Sequence, residues 1–138
     1  MLLLDANVWL ATQNADEADH DAARQIIEGD QPLAALDLTL YEVSNVALKR
    51  WRSTVRAREV AELVEAACDR IVPADSRLMH RAITIARIYE EHRLSVYDAT
   101  YAAAAEANDM VLVSGDYKDL VEPGLALAPR AALAAGRR

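Results

Sequence analysis

Leu2-Leu3-Leu4-Asp5-Ala6-Asn7 is the stretch whose reading decides the fold. Leu2 to Leu4 is a short, continuous apolar run, which suits a central parallel strand buried on both faces. Asp5 closes it. A second run of this kind, Met110-Val111-Leu112-Val113-Ser114, leads after a short turn to Asp116. Two more acids, Glu42 and Asp98, each lie just inside the start of a helical pattern. In an open parallel α/β sheet, strand C-termini and the helix N-termini that follow them share one edge, where ligands bind. Carboxylates gathered on one edge repel one another. A divalent cation, with its preference for oxygen ligands, offsets that repulsion.

The chain has 138 residues, 53% of them hydrophobic, enough for one globular domain with a real core. Charged residues make up 27%, an ordinary share that argues against global disorder. A net charge of -7 argues against coating nucleic acid by bulk electrostatics. It leaves nucleic acid open as a substrate, since a local basic strip and a bound metal can handle phosphate. Cys68, the single cysteine, precludes an internal disulfide and reads as a buried, inert thiol in an apolar helical stretch. No signal peptide precedes Asp5 and no apolar run approaches membrane-spanning length, so the expected location is cytoplasmic.

The pattern between the two strong strands is mostly helical. Asn7 is expected to cap a short helix carrying Val8, Trp9 and Leu10, and a second helix to run from about Asp16 to Glu28, ended by Gly29. Pro32 to Leu36 reads as a weak strand. Leu40, Val43, Ala47 and Trp51 stripe one face of a helix over Thr39 to Trp51. Ser53 and Thr54 break it before a helix from about Val55 to Cys68. A short strand at Arg70 to Pro73 and a helix from about Ser76 to His92 follow. Val96 to Asn108 is an alanine-rich helix, and Met110 to Ser114 the last strand. The expected domain covers residues 1–128, with a frayed Ala/Arg-rich tail over 129–138. The class is α/β.

Capping offers a competing account of the acids. Thr39-Leu40-Tyr41-Glu42 and Ser95-Val96-Tyr97-Asp98 both match the capping box, in which the acid bonds back to the cap residue. Asp116 could be a helix N-cap and Asp5 a turn residue. An acid that directly ends a buried strand, as Asp5 does, caps nothing by its own pattern. Taken jointly, the four acids read as a metal site. Helix N-termini would hold Glu42 and Asp98 ionised for Mg²⁺ or Mn²⁺. Asp119, three residues after Asp116, is either a further ligand or a solvated first-turn acid.

Leu3-Leu4-Asp5-Ala6-Asn7, Tyr41-Glu42-Val43-Ser44-Asn45, Ser95-Val96-Tyr97-Asp98-Ala99-Thr100-Tyr101-Ala102 and Leu112-Val113-Ser114-Gly115-Asp116 together resemble the PIN-domain ribonucleases, and among them the VapC toxins of bacterial toxin–antitoxin pairs. The likeness runs from residue 2 to about 120. It implies a PIN-like fold, a short central parallel sheet of about four to five strands flanked by helices. It also implies that Asp5, Glu42, Asp98 and Asp116 hold one or two Mg²⁺ or Mn²⁺ ions and that RNA, such as tRNA or another structured RNA, is cut to 5′-phosphate and 3′-hydroxyl ends. A toxin of this kind would inhibit translation and growth. Its cognate antitoxin would block the acidic pocket with a basic segment, and it would form a homodimer. Asn7 and Ser114 are supporting residues on the same resemblance. Ser114 stands where the family usually has Thr, and either hydroxyl could orient a ligand or water. The stretch after Asp116 varies in the family, which leaves Asp119 open. Two rivals share the fold: a housekeeping RNA-processing nuclease, and a catalytically silent scaffold used for binding.

Other chemistries fail on spacing. A haloacid-dehalogenase start needs a second Asp where Asn7 stands. The four glycines are scattered singly, so there is no phosphate-binding loop. His20, His80 and His92 have no ligand spacing, and nothing suggests a Ser/His/Asp triad. Lys49, Arg50, Arg52, Arg56 and Arg58, five of the 15 basic residues, surround Trp51. Such a strip could hold an RNA backbone and stack a base. Alternatively it is a solvated helix junction whose Arg stems cover apolar surface, with Trp51 completing the core stripe.

Overall fold

The structure is a computed structural model that describes residues 1–136. Four short strands, β1 (Leu2–Leu4), β2 (Leu33–Leu36), β3 (Arg70–Val72) and β4 (Val111–Val113), form one parallel sheet in the order β3-β2-β1-β4. The register sets Leu2, Leu3 and Leu4 against Val111, Leu112 and Val113 on one side, and Leu2 and Leu3 against Leu33 and Ala34 on the other. Successive side chains in a strand point to opposite faces. Accordingly Leu2, Leu4, Leu33, Ala35 and Val113 enter one core cluster, while Leu3, Ala34, Leu36 and Leu112 enter the other. Both faces are covered, which explains why β1 and β2 are unbroken apolar runs.

The helices are α1 (Ala6–Ala11), α2 (His20–Glu28), α3 (Asp37–Trp51), α4 (Thr54–Ala67), α5 (Ser76–Ile88), α6 (Val96–Asn108) and α7 (Pro129–Gly136). Trp9, Ala23, Val43, Ala47, Val60 and Val64 pack on the first face, and Leu78, Ala82, Ile85 and Ala102 to Ala105 on the second. The alanine run of α6 gives it a small-residue face against both the sheet and α5. Among the described residues no helix is long and apolar enough to cross a membrane.

Several expected boundaries shift for local reasons. Asn7 does not cap α1; Asp5 occupies that position and Asn7 lies inside the helix. α2 starts at His20 instead of Asp16, because the Asn14 side chain accepts from the Asp16 N–H at 3.1 Å and folds the preceding residues into a turn. α3 starts at Asp37, two residues earlier than the Thr39 pattern suggested. It ends at Arg52 in the left-handed region (φ 50°), and Ser53 then caps α4 by accepting from the Arg56 N–H at 3.2 Å. α5 stops at Ile88 and gives way to a 3-10 turn at Glu90–His92. The expectation of a frayed tail from Pro129 is corrected. Residues Pro129–Gly136 form α7, with Pro129 and Ala132 buried and Leu133 packed on the first core cluster, so apolar burial holds the segment down. The last two residues of that expected tail lie outside the described residues. Cys68 is half-buried just past the end of α4, and burial pushes its thiol up to about 12.

Candidate metal centre at the sheet's switch point

β1 is followed by β2 on one side, yet its other neighbour is β4, so the strand order reverses between β1 and β4. In open parallel sheets, ligands bind at the carboxyl ends of strands flanking such a reversal. Asp5 and Ser114 directly follow those two strands. The two ends are tied together: the Asp5 N–H donates to Val113 O at 3.0 Å, and Ser114 Oγ donates to Asp5 Oδ2 at 2.8 Å. Asn7 Nδ2 lies 3.3 Å from both Asp5 Oδ2 and Ser114 Oγ, while Asn7 Oδ1 accepts from the Gly115 N–H at 2.8 Å. Ser114 Oγ also accepts from the Asp116 N–H at 3.0 Å. A Cβ on Gly115 would stand 3.2 Å from Asp19 Oδ2 and 3.4 Å from Asn7 Oδ1, so the close approach of these side chains depends on glycine there.

Asp5 is buried, and burial pushes its carboxyl up to about 7. The Ser114 hydrogen bond opposes that rise, and the charges of Asp98 and Glu42 add to it. Glu42, half-buried on α3, is also raised by burial; the Tyr101 hydroxyl, which donates to its Oε1 at 3.1 Å, pulls the other way, and Asp98 adds to the rise. Asp98 on α6 is raised by burial, lowered by its bond to Ser95, and raised again by Asp116 and Asp119. The acids therefore sense one another around Asp98. One carboxylate oxygen each from Asp98, Asp116 and Asp119 lies within 4.8 Å of the others, the only such group of potential ligands among the described residues. No histidine joins it.

Capping and ligation are separable here. The capping box at Thr39 and Glu42 does not form. Both residues lie within α3, and the Thr39 hydroxyl is 2.7 Å from that of Tyr101. Glu42 is in the second turn of α3, beyond reach of the first-turn field, so the helix N-terminus does not favour its charge there, and burial raises its carboxyl. Ser95 does cap α6, accepting from the Asp98 N–H at 3.0 Å. Asp116 caps the π-helical turn Tyr117–Val121 by accepting from the Asp119 N–H at 3.0 Å. That bond draws Asp119 beside Asp116. No ion pair among the described residues reaches these acids; Arg24–Glu28, Arg81–Glu106 and Arg87–Glu90 all lie elsewhere.

The basic strip is not part of this cluster. Lys49, Arg50 and Arg52 are exposed at the far end of α3, and at 1.5 Å per residue Arg52 stands roughly 15 Å along the axis from Glu42. Arg56 is committed locally: its guanidinium carbon sits 3.9 Å from the Trp51 ring centroid, and Nη2 is 3.5 Å from Gln13 O. Trp51 is half-buried against the core, as the stripe predicts. Sequence reasoning missed the Tyr101–Thr39 pair at the site. The available signal was the spacing, since Tyr101 follows Asp98 and Thr39 precedes Glu42 by three residues each, one helical turn.

Several solved structures share this fold. VapC20 of Mycobacterium tuberculosis, a toxin that cleaves the sarcin–ricin loop, is 20% identical over 90% of this chain and 95% of its own, with a TM-score of 0.74. A toxin–antitoxin complex from Klebsiella pneumoniae contains a chain 22% identical, covering 94% of this chain and 98% of that one, with a TM-score of 0.69. A protein from Pyrobaculum aerophilum is 26% identical over 97% and 87%, with a TM-score of 0.70. No curated protein matches the sequence. Residues 2–122 match the PIN domain family, nearly the whole chain, and with the sheet order and the acids gathered at its switch point they place this protein in that family.

Proposed function

We propose that the protein is a Mg²⁺- or Mn²⁺-dependent endoribonuclease acting as the toxin of a toxin–antitoxin pair. The observation that carries this reading is the cluster of Asp98, Asp116 and Asp119 oxygens, extended through Asp98 to Asp5 and Glu42, with no ion pair to any of them among the described residues. Such a donor set is all hard oxygen, which fits Mg²⁺ or Mn²⁺ and not a soft metal. A divalent cation there supplies positive charge for the scissile phosphate and lowers the pKa of a hydrolytic water.

The protein's own residues bind and orient. Asp98, Asp116 and Asp119 are the best-placed ligands, with Asp5 and Glu42 completing the acidic wall. Asn7 and Ser114 hold Asp5 in place through its Oδ2. In the hydrolysis, a water oxygen bonds to phosphorus as the P–O3′ bond breaks, leaving a 5′-phosphate and a 3′-hydroxyl. Structured RNA is the proposed substrate. The similarity to chains solved as toxin–antitoxin complexes supports a protein antitoxin, whose basic segment would complement a chain of net charge -7. Lys49, Arg50 and Arg52 are the proposed contacts to the RNA backbone.

The test is cleavage of RNA by the purified protein with Mn²⁺ and with EDTA, beside Asp98→Asn. Cleavage confined to the parent with metal supports the reading; equal cleavage in EDTA, or none under any condition, sinks it. Growth arrest on expression, relieved by a neighbouring small gene product, separates a toxin from a housekeeping nuclease.

A further inference from the structure

Tyr101 and Thr39 link the two helices that carry Asp98 and Glu42. Tyr101 is 1% exposed, and its ring lies in the second core cluster. A buried tyrosine hydroxyl needs a partner, and a main-chain carbonyl would serve. Here both partners are side chains. The hydroxyl donates to Glu42 Oε1 at 3.1 Å and lies 2.7 Å from Thr39 Oγ1. An ionised carboxylate only accepts, so the phenol proton goes to Glu42 and the Thr39 hydroxyl donates to the phenol oxygen. The chain of bonds runs in one direction, from Thr39 through Tyr101 to Glu42. Thr39 is fully buried, so it has no solvent alternative. Glu42, by contrast, is half-buried on a long flexible stem, and this bond is what selects one of its carboxylate positions.

Resting on the metal-dependent reading above, we propose that Tyr101, itself oriented by Thr39, is a positioning residue that fixes the Glu42 carboxylate for cation binding. Residues that hydrogen-bond a metal ligand set its orientation, and their loss commonly lowers metal affinity or activity by about 10- to 100-fold.

Tyr101→Phe removes the hydroxyl and keeps the ring. The expected result is an approximately tenfold rise in the Mn²⁺ concentration that half-saturates the shift in melting temperature. At saturating Mn²⁺, kcat should fall while KM for RNA stays at the parent value. Thr39→Val should show a smaller change in the same direction. In a Glu42→Gln background, Tyr101→Phe should change the Mn²⁺ midpoint no further, since the two substitutions act on one interaction. A purely structural role would lower the metal-free melting temperature and leave the Mn²⁺ midpoint unchanged, which would overturn the proposal. An additive effect in the Glu42→Gln background would overturn it too. If the parent itself shows neither a Mn²⁺ shift nor RNA cleavage, both this proposal and the ribonuclease reading fail. If the parent shows both and Tyr101→Phe matches it, only the positioning role fails.

Discussion

Ser114 Oγ donates to Asp5 Oδ2 at 2.8 Å across 109 positions of sequence, joining the carboxyl ends of β1 and β4 at the reversal of strand order. Ser114 is fully buried and also accepts from the Asp116 N–H at 3.0 Å, so one hydroxyl orders two acids. Ser114→Ala should destabilise the metal-free protein by about 1–3 kcal/mol, because it removes the shortest hydrogen bond to a buried carboxyl and the side-chain partner of the Asp116 N–H. Urea unfolding measures this. An unchanged midpoint would mean that water replaces the hydroxyl at no cost.

Asp5→Asn should raise the melting temperature of the metal-free protein at pH 8 and abolish RNA cleavage. Substitution removes a buried charge that faces Asp98 and Glu42, and deletes an oxygen ligand. Thermal melts in EDTA check the first half. A clearly less stable variant would favour a structural role for Asp5.

Stability of the metal-free parent should increase as pH falls from 8 to 5. The Asp5 carboxyl rises from its ordinary 3.8 to about 7 in the folded chain, so between those values the folded state binds more protons than the unfolded state. Stability then falls as pH rises through that window, by on the order of a few kcal/mol at most. Raised carboxyls at Glu42 and Asp98 act in the same sense. Saturating Mn²⁺ should flatten or reverse the slope, because metal competes with protons for the same oxygens. Melting temperatures across pH, with EDTA and with Mn²⁺, decide the matter; Asp5→Asn should lose most of the Mn²⁺ gain, which for the parent is about 2.7 kcal/mol at a hundredfold excess over the dissociation constant.

Replacing Lys49, Arg50 and Arg52 together by Ala should weaken RNA binding and leave the Mn²⁺ shift intact. Each lost phosphate contact lowers the logarithmic salt slope by about 0.7 for single strands. Arg56 belongs in a separate variant, because its guanidinium stacks on Trp51 and Arg56→Ala should cost stability. Cleavage measured against salt concentration provides the readout. A slope equal to the parent's would make the exposed strip a solvated helix end.

Local pattern was enough for the four strands, for the helices before the last strand and for the faces they bury, though not for every boundary. Leu2–Leu4 is a strand buried on both faces of the parallel sheet, as a short apolar run suits. Val111–Val113 pairs beside it with Leu112 and Val113 buried, and α6 spans Val96–Asn108 as its alanine run and Ser95 cap predict. The order and spacing of Asp5, Glu42, Asp98 and Asp116 carried the resemblance to PIN domains, and the family match agrees with it. What local pattern could not decide was which competing partner each polar side chain takes. Thr39 and Glu42 spell a capping box, yet α3 starts two residues earlier and Tyr101, brought in by α6, captures both. Asn7 reads as a cap and instead bridges Asp5 to Gly115, while Asp119 reaches the cluster only through the bond to Asp116. α7 reads as loose chain and becomes a helix because the first core cluster offers its apolar residues a place to bury. Periodicity fixes the face that an element buries, within a few turns of its own sequence. Hydrogen-bond partners 59 to 109 positions apart are chosen only when helices and strands settle at their packing distances, and that choice belongs to the tertiary structure.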